Sequence, residues 1–201
     1  MPARDKLLLA TSNRGKVREY LALAEGQGVE LRVLPGLNSL PQFTEDAPTF
    51  AENAAGKALH YSRHVELPVL AEDSGLVVPA LGGLPGPRSA RYAGARATDS
   101  DRILKLLGEL RSRAASERSA RFVCAIALAA GGRMLEVVSD FVEGELCNTP
   151  RGDDGFGYDP IFYYSPLGKT FAELSLAEKN ACSHRARAFR KLMEALSAAG
   201  R

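Results

Sequence analysis

A short apolar strand that turns directly into a helix opens this chain and restricts what it can fold into. The run Leu7–Leu9 is apolar, and Val17, Leu21 and Ala24 follow at the spacing of one helix face. The segment between them, Thr11–Lys16, is polar and contains a glycine. A strand therefore ends where a helix begins, and a second strand predicted soon after this helix makes the opening a βαβ unit.

The polar junction is a candidate phosphate site. Unsatisfied backbone N–H groups and the positive end of the helix dipole face outward there, and Thr11, Asn13 and Lys16 add side-chain donors. The alternative is an ordinary strand–turn–helix connection in which Asn13 caps the helix and Lys16 is solvated. The segment is not a P-loop, because no glycine sits five residues before Gly15 and Val17 replaces the hydroxyl residue that would hold magnesium.

Composition limits the class of protein and of partner. The 201 residues are 45% hydrophobic and 25% charged, which is typical of a soluble globular protein with one good core or two small lobes. The net charge is only +2, so a small anionic ligand fits better than nucleic acid. We expect no signal peptide and no membrane span, since the charged amino end is followed by only a short apolar strand.

The cysteines indicate the compartment. Cys124, Cys147 and Cys182 are odd in number, widely spaced and form no Cys-x-x-Cys pair. This pattern favours neither a disulfide framework nor a zinc site. We therefore expect the protein in the reducing cytoplasm.

Strand and helix signals alternate along the chain. Strands are predicted at Lys6–Ala10, Val29–Leu34, Arg121–Ala130 and Arg133–Leu146, and helices at Gly15–Gln27, from Thr49, from Thr98 to Arg113, and from Ser175 to Ala198. Thr98 with Asp101 and Ser175 with Glu178 have the spacing of capping boxes. The pair Gly131-Gly132 is typical of a hairpin turn. This alternation favours an α/β fold.

Two carboxylates in the middle of the chain form a candidate cation site. Glu72–Gly75 is predicted to interrupt strand signals at Val69–Ala71 and Leu76–Ala80. Paired carboxylates at a strand end can collect a hard divalent cation, and the glycine permits close approach. Glu45, in the aperiodic loop Pro35–Pro48, could supply another oxygen. The alternative is a polar turn.

A glycine-rich segment, Gly155–Pro160, is a candidate base site. Glycines around a single aromatic residue let a planar base lie against Phe156. Asp159, held before a rigid proline, could set the orientation of that base. The alternative is a structural loop.

Polar residues on two helices are further ligand candidates. Asn53 and Lys57 are four residues apart and can point together at one ligand, although a solvated polar face would have the same spacing. On the last helix, Lys179 precedes His184 and Arg185. A single histidine is more often packed or on the surface than a ligand, but the five donors of the arginine strengthen the ligand interpretation.

Together, these segments resemble the inosine triphosphate pyrophosphatase family. The motifs that carry the resemblance, in chain order, are Thr11-Ser12-Asn13-Arg14-Gly15-Lys16, Thr49-Phe50-Ala51-Glu52-Asn53-Ala54 with Lys57, Glu72-Asp73-Ser74-Gly75-Leu76, Leu81-Gly82-Gly83-Leu84-Pro85-Gly86 with Ser89-Ala90-Arg91-Tyr92, Gly155-Phe156-Gly157-Tyr158-Asp159-Pro160, and Glu178-Lys179-Asn180 with Ser183-His184-Arg185. Each motif is weak alone, but six in the expected order are very specific. One departure is Glu72, where the family motif usually has aspartate.

The resemblance implies a fold, a reaction and partners. The fold would be mixed α/β with an elongated central sheet flanked by helices, in a single domain over residues 1–201 with two lobes and a cleft between them. The reaction would be hydrolysis of the non-standard purine triphosphates ITP, dITP and XTP to the monophosphate and pyrophosphate, which cleanses the nucleotide pool. The implied cofactor is Mg²⁺, and the implied assembly is a homodimer.

The resemblance also implies residue roles. Substrate contacts are expected at Thr11, Ser12, Asn13, Arg14, Gly15, Lys16, Asn53, Lys57, Ser74, Phe156, Gly157, Tyr158, Asp159, Lys179, His184 and Arg185. Asp73 is the expected catalytic residue, which holds magnesium and orients or deprotonates the attacking water, with Glu45 and Glu72 assisting the ion. Donors around the 6-oxo edge of the base would be left without a partner opposite adenine.

Two rival functions fit part of the pattern. A Maf-type nucleotide pyrophosphatase shares a related fold but does not explain Phe156–Pro160 followed by His184-Arg185. A nucleotide sensor without turnover is a third possibility, and the paired carboxylates Glu72 and Asp73 argue against it.

Overall fold

The computed structural model describes residues 6–111 and 117–199. Its strands are β1 (Lys6–Leu9), β2 (Glu30–Val33), β3 (Val69–Val77), β4 (Ser119–Ala130), β5 (Arg133–Leu146), β6 (Phe162–Tyr164) and β7 (Lys169–Thr170). Its α-helices are α1 (Arg14–Ala24), α2 (Phe50–Tyr61), α3 (Asp99–Leu110), α4 (Leu176–Cys182) and α5 (His184–Ala199). No helix in these two ranges is long and apolar enough to cross a membrane. Residues 1–5, which include most of the charged amino end, lie outside the described part.

The seven strands form one mixed sheet in the order β2-β1-β3-β4-β5-β6-β7. β1 pairs in parallel with β2 and β3, and the helix α1 connects β1 to β2 as the opening βαβ unit. β6 pairs antiparallel with both β5 and β7. The predicted α/β class with a mixed central sheet is therefore confirmed.

The chain divides into two compact units. Unit 1 comprises residues 6–73, 124–140 and 185–199, and unit 2 comprises the described residues of 74–123 and 141–184. The core of unit 1 joins strand residues such as Leu9, Leu70 and Ile126 to the helix residues Tyr20 and Phe189. In unit 2, one face of α3 joins aromatic residues in one core, whose members include Leu106, Leu110, Phe122, Phe162 and Phe171.

The hairpin and both capping boxes are confirmed. Gly131 and Gly132 have positive φ angles of 55° and 74°, which the tight turn between β4 and β5 requires. Thr98 caps α3 and Ser175 caps α4, each with reciprocal hydrogen bonds to the acidic residue three positions later. The predicted end of the third helix at Arg113 lies outside the described residues.

The predicted break in β3 is wrong. Glu72–Gly75 continues the strand, so both carboxylates lie within the sheet and are buried. Polar residues are tolerated in the middle of a buried strand only where partners satisfy them. Lys16 and Asn53 supply those partners, as described below.

The prediction of one helix from Ser175 to Ala198 is also wrong. Ser183 is extended, with φ −66° and ψ 159°, and it separates α4 from α5. Its N–H still bonds the Lys179 carbonyl at 2.8 Å, which completes the last turn of α4. The helical spacing of apolar residues continues across this position, so the pattern alone did not reveal the break.

Gly75 offers a test of how tightly β3 is packed. A Cβ at this position would lie 2.3 Å from the Ser89 hydroxyl oxygen and 2.8 Å from the Gly86 carbonyl oxygen. That hydroxyl is itself held by the Leu76 N–H and by the Gly86 carbonyl. We expect Gly75→Ala to lower the free energy of unfolding by about 1–3 kcal/mol through overpacking.

The matched control is Gly108→Ala in α3, where an added Cβ meets nothing within 4 Å. Because alanine is the better helix former, this change should stabilise the protein by up to about 1 kcal/mol. Urea unfolding measures the change in the free energy of unfolding for both variants. Equal changes would contradict the packing argument.

Candidate active site

Side chains of the junction satisfy part of the backbone at the start of α1. The Asn13 carboxamide oxygen accepts a hydrogen bond from the Lys16 N–H at 3.0 Å, so Asn13 is the N-cap. The hydroxyl of buried Thr11 accepts from the Asn13 N–H at 3.2 Å. The capping alternative for Asn13 is thus confirmed, while Ser12 and Arg14 are exposed at the same turn.

The alternative interpretation, in which Lys16 is solvated, is wrong. Its Nζ lies 2.5 Å from Glu72 Oε1, and only 17% of the side chain is exposed. Burial lowers the pKa of Lys16, but the Glu72 carboxylate more than offsets this, and the net pKa is raised. The junction therefore holds a protonated amine directed at β3.

Glu72 is a buried carboxylate surrounded by donors and cations. Besides Lys16, the Cys124 thiol donates to its Oε2 at 3.4 Å, and Arg185 Nε lies 4.0 Å from the same oxygen. Burial raises the pKa of Glu72, but Lys16 and then Arg185 outweigh burial and bring the pKa down to about 2. Glu72 is therefore ionised and compensated without any added cation.

Arg185 lies among the buried groups of unit 1. Its guanidinium forms an ion pair with Glu19 on α1, and its Cζ is 5.9 Å from the centre of the Tyr20 ring. Nothing in the sequence separates Glu19 from the neighbouring exposed charges of α1, so its burial was missed. Recognition of the base by Arg185 stays a prediction.

Asp73 lies in a different electrostatic setting from its neighbour Glu72. Its Oδ2 accepts a hydrogen bond from the Asn53 side chain at 2.9 Å. Burial, and next the charge of Glu45, raise the pKa of Asp73 to about 6 against the lowering effect of that hydrogen bond. The adjacent carboxylates thus have pKa values far apart.

Asn53 and Lys57 on α2 are not solvated, so the alternative interpretation of these two residues is wrong. Asn53 is fully buried and Lys57 nearly so. Lys57 forms an ion pair with Glu45, whose side chain is one-third exposed. Unit 1 therefore brings together five predicted site residues, which we call the carboxylate–lysine cluster: Lys16, Glu45, Lys57, Glu72 and Asp73.

The cluster fits a magnesium ion with few protein ligands. Within residues 6–111 and 117–199, no group of three or more histidine, cysteine or acidic side chains is arranged to hold a metal. Mg²⁺ needs only one or two carboxylates when substrate phosphates and water complete its shell. Asp73 and Glu45 meet this need, since the charge of Glu45 disfavours ionisation of Asp73 and a cation would relieve that repulsion. The charge of Glu72 is already compensated by Lys16 and Arg185.

Unit 2 contains a second set of predicted residues. Asp159 forms a buried ion pair with Lys179, and its Oδ2 also accepts from the Phe156 N–H at 2.8 Å. Lys179 Nζ lies 4.9 Å from the centre of the Phe156 ring. Gly155 has φ +78°, and a Cβ there would lie 2.2 Å from Asp159 Oδ2. The loop therefore requires glycine in order to wrap around this carboxylate.

The neighbouring predicted residues have structural contacts. The Gly157 N–H donates to Asp99 at 2.6 Å, and the buried Tyr158 hydroxyl donates to the Ser89 carbonyl at 3.1 Å. His184 is buried and stacked on Phe122, with ring centres 4.8 Å apart and planes 11° from parallel. Packing thus accounts for His184, as expected of a single histidine, and its contact with the base stays a prediction.

The pKa of Asp73 can be measured directly in the metal-free protein. Carbon NMR of labelled aspartate should show Asp73 titrating near 6. Glu45→Gln should lower that pKa, because removing a nearby negative charge favours the ionised carboxylate. Glu52→Gln, an exposed change on α2, is the control. An unchanged pKa of Asp73 in the Glu45 variant would show that the two carboxylates do not interact, and it would contradict the proposed cluster.

Comparisons with known proteins agree with this architecture. The dITP/XTP pyrophosphatase of Geobacillus kaustophilus is 50% identical over 189 residues, which cover 94% of this chain and 93% of that protein. The dITP/XTP pyrophosphatase of Bacillus subtilis is 43% identical over 191 residues, covering 95% and 96%.

Two solved structures are also similar to this chain in fold and sequence. A HAM1 protein from Coxiella burnetii superposes with a TM-score of 0.85 at 42% identity, covering 96% of this chain and 98% of that one. The Ham1 protein of Staphylococcus aureus gives 0.84 at 36% identity with the same coverage. The sequence model of the Ham1 family matches residues 7–195. The chain therefore belongs to the Ham1 family.

Proposed function

We propose that this protein hydrolyses the non-standard purine triphosphates ITP, dITP and XTP to the nucleoside monophosphate and pyrophosphate. The observation that carries the proposal is the carboxylate–lysine cluster, in which two lysines and two differently tuned carboxylates lie in one unit. Relatives named dITP/XTP pyrophosphatase support the substrate class. The match to the Ham1 family along almost the whole chain favours this function over a Maf-type enzyme.

Lys16 and Lys57 provide the charge for a triphosphate. Each is paired with a carboxylate in the protein alone, which avoids leaving a buried charge without compensation. A triphosphate would add anionic oxygens to the same ammonium groups. Charge that develops on the departing pyrophosphate would then be stabilised by groups already in position.

We assign Mg²⁺ to Asp73 and Glu45. The chemistry that the ion supplies when bound is neutralisation of phosphate charge. Asp73, whose carboxylate is held by the Asn53 side chain, is the group that orients the attacking water and accepts its proton. Glu72, with its pKa of about 2, is unsuited to accept a proton and acts by holding Lys16.

The loop in unit 2 supplies the proposed base contacts. Phe156 offers a face for stacking, and the Lys179 ammonium beside it offers donors to a 6-oxo group. Adenine has an amino donor where hypoxanthine and xanthine have the oxygen. The Lys179 ammonium would then face another donor and could form no hydrogen bond with it. Asp159 holds Lys179 and the Phe156 backbone together. Base contacts by His184 and by Arg185 are further proposals.

Two accompanying proposals concern assembly and compartment. The family resemblance implies a homodimer. The three free cysteines suit a reducing compartment such as the cytoplasm. Analytical ultracentrifugation and fractionation of the producing cells test these two points.

Product analysis with ITP tests the reaction itself. Wild-type protein with Mg²⁺ should release one pyrophosphate for each inosine monophosphate. Asp73→Asn, which is nearly isosteric but uncharged, should lower kcat by about 100-fold or more while the fold is retained. Asp140→Asn, at an ion pair with the half-exposed Lys191, is the control and should stay near wild type. Release of orthophosphate, or normal turnover by the Asp73 variant, would refute the proposal.

Base selectivity tests the role of Lys179. Lys179→Met keeps the length of the side chain but removes its donors, so kcat/KM for ITP should fall by about 10-fold or more relative to that for ATP. Lys169→Met removes a partly exposed lysine of unit 2 and is the matched control. Equal losses on ITP and ATP in the Lys179 variant would show that this residue does not recognise the 6-oxo group.

A further inference from the structure

The contacts of Asn53 suggest a role that differs from substrate binding. Its carboxamide oxygen accepts from the Ala47 N–H at 2.9 Å. Its Nδ2 donates to Asp73 Oδ2 at 2.9 Å and to the Ala47 carbonyl at 3.5 Å. The side chain is fully buried, so both ends of the amide are engaged inside the protein.

These contacts join two segments that are far apart in sequence. Ala47 lies two residues after Glu45, in the loop that precedes α2, whereas Asp73 lies on β3. One amide therefore links the backbone beside Glu45 to the carboxylate of Asp73. The link thus couples the loop that carries Glu45 to the strand that carries Asp73.

The other end of the same loop is also held by α2. An added Cβ on Gly56 would lie 2.6 Å from the Phe43 ring, so this ring packs directly on the helix backbone. The Phe43 N–H donates to the Tyr61 hydroxyl at 3.4 Å. Glu45 thus lies between two attachment points on α2, one at Phe43 and one at Ala47.

Asparagine is well suited to this position. The link needs a donor toward a carboxylate and an acceptor for a backbone N–H on one short side chain. Leucine has the same branching at Cγ but is larger and has neither group, so it would leave the Ala47 N–H without its partner. Serine is shorter and cannot span both contacts.

We infer that Asn53 is a positioning residue that sets Glu45 and Asp73 at the separation needed to hold one divalent cation. The inference rests on the proposed function, because it takes these two carboxylates as the metal ligands. Groups that orient metal ligands typically change metal affinity by about 10- to 100-fold when they are removed. Metal binding is therefore the property to measure.

The experiment is Mn²⁺ binding to the substrate-free protein, followed by electron paramagnetic resonance of the free ion. Asn53→Leu and Asn53→Ser should each weaken Mn²⁺ binding by about 10-fold or more. Gly56→Ala, which leaves the amide in place but displaces Phe43, should weaken it in the same direction. Glu52→Gln, the exposed neighbour of Asn53 on α2, is the matched control and should bind as wild type does.

Each outcome has a defined meaning. Circular dichroism and thermal unfolding establish which variants are folded, and the serine variant decides the point if the leucine variant is not. Wild-type Mn²⁺ affinity in a folded Asn53 variant overturns the inference even if the wild-type protein makes pyrophosphate from ITP. A wild-type protein that binds Mn²⁺ but makes no pyrophosphate overturns the proposed function instead, and weaker binding in the Asn53 variants would still support the positioning role.

Discussion

A buried carboxylate in the middle of a strand is the constraint on which unit 1 depends. Glu72 lies in β3, almost fully buried, and an isolated charge there would be strongly destabilising. Lys16 reaches it from α1 and Arg185 from α5, so the requirement for compensation ties both helices to the strand. Arg185 in turn is paired with Glu19, which extends the network back to α1. Removing any one member would leave a buried charge without full compensation.

The same network separates the roles of two adjacent acids. Glu72 is surrounded by cations and has a depressed pKa, whereas Asp73 faces another carboxylate and has a raised pKa. Because they are consecutive on a strand, their side chains point to opposite faces of the sheet and meet different neighbours. One sequence pair thus supplies a counter-ion for Lys16 and, in the proposed function, the carboxylate that binds the metal and accepts a proton. Unit 2 uses a comparable ion pair, Asp159 with Lys179, to hold the aromatic loop.

The local motifs were predicted well where the signal is short in range. The N-cap at Asn13, the capping boxes at Thr98 and Ser175 and the turn at Gly131-Gly132 depend on residues no more than three positions apart. The errors arose where long-range contacts override the local pattern. Glu72–Gly75 has the composition of a turn but remains strand, since partners from other elements satisfy it. Ser183 interrupts a helix whose apolar spacing continues on both sides.

The sequence was enough to establish the α/β class, the resemblance to a pyrophosphatase family and the candidate residues, because strand and helix periodicity and the order of motifs are properties of the chain itself. Only the tertiary structure decided what those residues do to one another. It placed Asn53 between Asp73 and the Glu45 loop, directed Lys16 at Glu72 rather than at solvent, and buried Arg185 against Glu19. These outcomes follow from burial and from distances between segments that are up to 166 residues apart. Burial and charge compensation depend on which elements meet, and the pattern of a single segment does not contain that information.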